Sequence, residues 1–399
     1  MNMKLIGGIL LVVGSAIGGG MLALPIATAQ MGFVNSSLLL FVCWSLMTAS
    51  AMLILEVTLW LPKNTNIISM AKATLGRGGQ GVAWITYLLL LYSLLAAYIA
   101  GGSDFLKNLL TLAHFDLPGL VVPVLFTLIL GAIVYGGIHA VDHVNRLLMA
   151  IKLLAFVFLV ILIFPHVSTG QLINGGELST LSTSTTVAIT SFGFATIVPS
   201  MRNYFHDNVK QLRAAILIGS LIPLICYIIW DFSIMGVIPR EGDNGLIAMM
   251  HSGRSTSEFV NQLSALLNRD TITSFAHVFT SICLLTSFLG VALCMVDFLA
   301  DGLQMEKIGK NNALVCGLAL LPPLLIVLFK PGIFIAALAY AGIYCVILLI
   351  LLPALMVWRG RYHKNIAKGY RVFGGKVLLS LLLIASVIII GQGIIGIFK

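Results

Sequence analysis

Eleven continuously apolar stretches, each long enough to cross a bilayer and separated by polar breaks of which two, 62–81 and 239–271, are long, constrain this 399-residue chain more than any other feature. Their approximate limits are 5–33, 36–60, 82–112, 119–139, 147–165, 184–204, 214–238, 273–299, 312–329, 333–357 and 376–398. About 20 apolar residues span roughly 30 Å of hydrocarbon as a helix. Strands are excluded because the stretches do not alternate in polarity, and in lipid each segment must pair its own backbone groups. With only 23 Lys or Arg and 14 Asp or Glu, 59% hydrophobic residues and a mean hydropathy of +1.06, the chain is no water-soluble globule. The expectation is an all-α polytopic membrane protein of one domain, 1–399. Its N-terminal run is kept as a span, since no small-residue cleavage site follows it.

The net charge of +9 does not point to nucleic acid, because the basic residues form no continuous face interleaved with aromatics. They sit in the connections. Placing the N-terminus in the cytoplasm puts 17 of the 23 on that side and leaves Lys107, Arg240, Arg254, Arg269, Lys330 and Lys399 outside, which predicts N-in, C-out topology. Cys43, Cys226, Cys283, Cys294, Cys316 and Cys345 all lie in apolar segments without ligand spacing and read as small core residues. No metal or cofactor is expected.

Two stretches resist being continuous helices. The first span contains Gly14-Ser15-Ala16-Ile17-Gly18-Gly19-Gly20 and then Pro25. Each glycine costs up to about 1 kcal/mol against Ala, and proline cannot donate to the carbonyl one turn back. The sixth span carries Thr190-Ser191-Phe192-Gly193-Phe194-Ala195-Thr196 and then Pro199. Small residues also allow close helix packing, which is the alternative reading. Breaks five spans apart lie on oppositely directed helices, so residues 5–165 and 184–357 read as a 5+5 inverted repeat, with 376–398 an extra C-terminal helix. Broken helices of this kind turn N–H groups toward a carboxylate and carbonyls toward an ammonium or ion.

Gly18-Gly19-Gly20-Met21-Leu22-Ala23-Leu24-Pro25, Leu55-Glu56-Val57, Ala97-Tyr98-Ile99-Ala100-Gly101, Asn145-Arg146 with Lys152, and Thr190-Ser191-Phe192-Gly193-Phe194 together resemble the hydroxy and aromatic amino acid permeases, in particular the tyrosine branch. The resemblance runs over nearly the whole chain. It implies a bacterial inner-membrane symporter of the leucine-transporter-like fold that takes up an aromatic amino acid, tyrosine first, with a proton.

Several residues then become site candidates. For the substrate these are Ser15, Ala16, Gly18, Gly19 and Gly20 in the first break, Ser191, Phe192, Gly193 and Phe194 in the second, and Tyr92, Tyr98, Tyr340 and Tyr344 as ring-lining aromatics. Glycine-rich N–H groups suit the carboxylate and carbonyls near Ser15 and Ser191 the ammonium. Lys152 lies five residues inside the fifth span, where a charge is costly unless paired or able to snorkel to the interface. Leu285-Thr286-Ser287 resembles the stretch that binds sodium in leucine-transporter relatives, so the Lys152 ammonium is expected against Thr286, Ser287 and carbonyls near Ala16 and Ile17. Glu56 and Asp231 are candidates for proton handling, the alternatives to which are a structural pair or a water-lined crevice. Lys4 and Asp301 are a candidate inner gate, and His166 and His277 receive no chemistry.

An intramembrane enzyme would need HExxH or Gly-x-Ser-x-Gly at depth, and neither occurs in a span. A channel would show rings of like charge or a repeated filter. Sodium coupling remains the variant within the transporter class. The partners expected are the amino acid, protons and lipid; oligomeric state is not read from the sequence.

Overall fold

The computed structural model describes residues 3–397 apart from 64, 174–175, 179, 253–254, 268–269 and 306–307, so Arg254, Arg269, Lys307 and Lys399 of the charge argument lie outside the described residues. The regular structure described is helical. α1 (Met3–Ala16) and α2 (Gly19–Ala27) make the first span and meet at a 53° bend. α3 (Gly32–Trp60), the short connecting α4 (Ile67–Leu75), α5 (Arg77–Leu112), α6 (Val121–Tyr135) and α7 (Ile138–Ile163) follow. A one-turn helix, α8 (Thr169–Ile173), leads to α9 (Leu181–Ser191) and α10 (Val198–Tyr204). Beyond α11 (Val209–Met235), a polar connection holds α12 (Leu246–Ser252) and α13 (Ser255–Leu267). The chain ends with α14 (Asp270–Gly302), α15 (Gly309–Phe329), α16 (Phe334–Val346), α17 (Leu352–Tyr362) and α18 (Gly375–Ile397).

Among the described residues nine helical segments are long and apolar enough to cross a membrane, and the bent α1–α2 pair makes a tenth. α6 is shorter, an apolar helix of 15 residues. It stops sooner than expected because the chain reverses at Gly136 and Gly137, the latter at φ 82°. α7 starts directly afterwards, so the polar stretch at 140–146 is helical and not the connection the sequence suggested.

Prolines inside these helices leave carbonyls without a partner one turn back, and side chains from other helices supply it. Pro322 of α15 frees the Leu318 carbonyl, to which the Tyr92 hydroxyl donates at 2.8 Å. Pro353 frees the Leu349 carbonyl inside a π-turn at Ile347–Leu351 that joins α16 to α17, and Ser50 donates to it. Close approach between helices relies on glycine: a Cβ on Gly342 of α16 would overlap the Thr186 backbone of α9.

Lysines and arginines gather at one face. There Arg361 forms a two-pronged pair with Glu56 (2.7 and 2.5 Å), Lys63 and Arg202 share Asp207 (2.9 and 2.6 Å), and Lys364 donates to the Ala73 carbonyl.

Candidate substrate and ion-coupling site

The first span breaks just ahead of its glycine triplet. Ile17 N still donates to Val13 at 2.9 Å, so α1 keeps its ladder to that point. Gly18 then turns extended, and α2 begins at Gly19. Pro25, expected to share in the break, sits within α2 instead.

Three of the backbone groups released there find long-range partners. The Ala16 carbonyl accepts from the Tyr227 hydroxyl at 2.7 Å. The Ile17 carbonyl accepts from Lys152 Nζ at 2.6 Å. Gly19 N donates to Ser287 Oγ at 2.8 Å. Cations and donors at the C-terminus of α1 answer the negative end of its dipole.

The sixth span is interrupted more gently. α9 ends at Ser191, Phe192 leaves helical geometry (φ −97°, ψ 25°), and a 3-10 stretch, Gly193–Ile197, carries the chain into α10. With one glycine in place of three, the backbone tightens into i→i+3 pairing and does not bend sharply. Its freed Ser191 carbonyl accepts from Tyr227 at 2.8 Å, so one hydroxyl joins the two breaks. Thr190 donates across to the Leu338 carbonyl of α16 at 3.0 Å.

The glycines permit this approach. A Cβ on Gly18 would run into Ser287 Oγ, one on Gly19 would stand 2.7 Å from the Tyr98 ring, and one on Gly20 would stand 2.8 Å from Ser191 Oγ. The Tyr98 side chain lies close to that of Ser287. Gly18, Gly19, Gly20, Tyr98, Ser191, Thr286, Ser287 and Lys152 therefore converge on one place, with Ala16 and Ile17 at its edge. Ser15 lies just before them, exposed, its hydroxyl turned back to the Val12 carbonyl at 2.9 Å.

Lys152 is 0% exposed, so its ammonium does not snorkel. Besides Ile17 it donates to Thr286 Oγ1 at 3.3 Å. Ser287, expected as a second hydroxyl for Lys152, accepts from Gly19 N instead, because that N–H opens the first turn of α2 directly opposite.

The aromatics divide. Phe192 and Phe194 are fully buried, Phe192 edge-on to the Tyr227 ring at 5.1 Å. Tyr92 faces α15 and serves the Leu318 carbonyl, which separates it from the breaks. Tyr340 lines a separate cavity of about 270 Å³ with Ser182, Thr186 and Gly393. Tyr344 is half-buried one turn further along α16, but the α16 atom nearest Gly193 is Cys345 Sγ, 3.6 Å from where a Cβ would stand. Tyr227 and Cys345 were not singled out from sequence, because a tyrosine or cysteine inside an apolar run carries no periodic signal of its own.

Glu56 lies with the basic face. Arg361 and Val372 N occupy its two oxygens, the latter at 2.8 Å, which is the structural-pair alternative weighed for it. Lys4 and Asp301 are both exposed, and no ion pair between them occurs among the described contacts. Ion pairs described at the basic face include Lys63–Asp207–Arg202 and Arg361–Glu56.

Known proteins match this sequence nearly from end to end. Residues 1–392 match the tryptophan/tyrosine permease family. The tyrosine-specific transport system 1 of Haemophilus influenzae is 34% identical over 97% of this chain and 95% of its own length. Glutamine transporter 2 of Aliivibrio fischeri is 32% identical over 98% and 99%, and the tryptophan-specific transport protein of Haemophilus influenzae is 29% identical over 96% and 94%. With its apolar spans, its bent first helix and this end-to-end match, the chain belongs to the tryptophan/tyrosine permease family and is a secondary-active amino-acid transporter, not an enzyme.

Proposed function

We propose that this bacterial multi-pass inner-membrane carrier imports an aromatic amino acid, tyrosine first, together with a proton. It does so by alternating access through eleven spans arranged as a 5+5 inverted repeat (5–165 and 184–357) plus the C-terminal helix. The basic face is cytoplasmic, so both the N-terminus and the Lys63–Asp207–Arg202 cluster lie inside.

The observation that carries the coupling is Lys152. Its ammonium ties the last carbonyl before the first break to Thr286 of α14. Loss of its proton would leave a neutral amine that binds the carbonyl weakly, letting α1 and α14 part. A sodium ion would compete for the same carbonyl and hydroxyl, which supports proton over sodium coupling.

The substrate carboxylate lies against the N–H groups at Gly18–Gly20. Its ammonium takes the Ala16 and Ser191 carbonyls now bridged by Tyr227, and its ring lies beside Phe192, Phe194 and Tyr98. Two relatives named tyrosine-specific support the ring, while the glutamine transporter at similar identity makes the substrate a matter for experiment.

Lys152→Gln in proteoliposomes tests the coupling. Proton-driven accumulation is expected to disappear while exchange at equal pH persists, and unchanged accumulation would eliminate the role. Competition of Tyr, Phe, Trp, Gln and Ser against labelled tyrosine tests the substrate; inhibition by Gln or Ser alone would overturn the aromatic assignment.

A further inference from the structure

The coupling site leaves one buried acid unused. Asp231, near the end of α11, is 0% exposed. Its Oδ2 lies 2.5 Å from Ser36 Oγ of α3. Ser36 Oγ lies 3.0 Å from Thr28 Oγ1, and Thr28, which caps α2, donates to the Leu24 carbonyl at 2.7 Å. Thr28 Oγ1 is also 3.5 Å from Oδ2, too long to compete. Oδ1 has no hydrogen-bond partner among the described residues.

Counting hydrogens decides the charge. Three short contacts run in series, Asp231 to Ser36, Ser36 to Thr28 and Thr28 to Leu24, and each needs one hydrogen. The two hydroxyls bring one each, and the carbonyl brings none. An ionised Asp231 adds none, so one pair of oxygens would face each other lone pair to lone pair. A protonated carboxyl adds the third, and the donors then all point one way, from Asp231 through Ser36 and Thr28 to Leu24. Unpaired Oδ1 agrees, since a carboxylate at this depth with one bare oxygen is costly.

Among the described residues no cation is bonded to Asp231. Helices α1, α2, α3, α7, α8 and α10 pack against α11, while Trp230 touches Phe259 of α13 and Phe279 of α14, and Phe232 touches Phe164. α2 and α8 contain no titratable side chain. The other elements bring Lys4, Glu56, Lys152 and Arg202, then His166 just beyond Phe164, Glu258 on α13, and His277, Asp297 and Asp301 on α14. α11 itself brings Lys210 and Arg213 at its far end and Tyr227 one turn away. None of these is bonded to Asp231 among the described contacts; the side chains of His139, Asp142, His143 and Arg146 on α7 and of Asp270 on α14 lie outside them.

We propose that Asp231 is a second proton-binding site, protonated in this conformation, whose proton latches the end of α2 to α3 and α11. When that proton leaves to water, Ser36 turns its hydrogen to the carboxylate and the Ser36–Thr28 link is lost, freeing the end of α2. This nine-residue helix is about 13 Å long. Lys152 grips the backbone just before its first turn and the Asp231 chain grips its last, so protonation acts at both ends of one short lever. The consequence for transport rests on the proton-coupled reading above; the protonation itself does not.

Infrared spectra of the reconstituted carrier at neutral pH, in H2O and D2O, test it without any transport assay. Wild type is expected to show a carboxylic-acid C=O stretching band that moves down in D2O and is lost in Asp231→Asn. Absence of such a band, or its survival in that variant, overturns the proposal. Ser36→Ala covers the case in which Asp231→Asn does not fold: the acid stays and loses its acceptor, so the band is expected to shift to higher frequency. An unmoved band would overturn the chain.

Discussion

The Tyr227 hydroxyl stands 2.8 Å from the Ser191 carbonyl oxygen, at the point where the sixth span stops being an α-helix. Ala16 offers its carbonyl to the same hydroxyl at 2.7 Å. A phenol has one hydrogen, so one of the two acceptors is always underserved. An ammonium, with three donors, would satisfy both. Tyr227→Phe keeps the edge-on contact with Phe192 and removes the bridge. It is expected to destabilise the carrier without substrate by about 1–3 kcal/mol, the cost of stranding buried acceptors. Added substrate should then raise the melting temperature more in the variant than in wild type. Equal substrate-induced shifts in a thermal-melt series would show that the ammonium does not reach these carbonyls.

Glycine at the break is required by contact, and two alanine substitutions separate contact from helix propensity. A Cβ on Gly20 would sit 2.8 Å from Ser191 Oγ, so the hydroxyl would have to move and give up its hydrogen bond to the Val187 carbonyl. A Cβ on Gly290, in α14, meets nothing within 4 Å. Gly20→Ala is expected to cost about 1–3 kcal/mol through overpacking and to slow transport. Gly290→Ala should stabilise by up to about 1 kcal/mol through propensity alone. Melting curves of both variants in one lipid distinguish them, and a Gly20→Ala carrier as stable as wild type would contradict the packing.

Glu56 and Arg361 are both nearly inaccessible, at 0% and 5% side-chain exposure, and sit in two-pronged contact. Removing one partner strands the other charge. Glu56→Gln is expected to lose about 3–5 kcal/mol. Uptake normalised to the folded carrier should remain close to wild type, because the pair joins α3 to α17 at the basic face and touches neither break. Normal stability with lost proton coupling would restore Glu56 as a proton carrier.

How much of this was legible depended on whether a residue's chemistry acts locally. Three consecutive glycines announce a broken helix by themselves, and Lys152 stands out because a charge in an apolar run demands a partner. The relation of Tyr92 to Leu318 is invisible in the sequence, since Pro322 frees a carbonyl on one helix and the hydroxyl arrives from another, 226 residues away. Ser50 and Leu349 repeat the case at 299 residues. Tyr227 is the same kind of residue: apolar neighbours hide it until two breaks and one hydroxyl share a point in space. The polar stretch at 140–146 misled for the opposite reason. Its composition suggested a connection, but Gly137 had already turned the chain and nothing in the stretch forbids a helix.

Asp207, between α10 and α11, accepts from Arg202 Nε at 2.6 Å and Lys63 Nζ at 2.9 Å. Arg202 also donates to the Thr58 and Leu61 carbonyls, which ties the end of α3 to the same cluster. The Arg202 hydrogen bond, then that of Lys63, holds the Asp207 carboxyl below its ordinary range. A carboxyl lowered in the folded state contributes stability that is complete above its unfolded value, about 4, and is lost as the pH falls through the lower folded value. The clamp is therefore expected to be intact through neutral pH and to loosen only in acid. Because Asp207 is well exposed, the effect is local opening and not global unfolding. Hydrogen exchange at residues 58–63, corrected for intrinsic rates, should stay slow from neutral pH to about pH 4 and quicken below it. Asp207→Asn should exchange faster throughout and lose that acid step; a step that survives in the variant would assign it to another carboxyl.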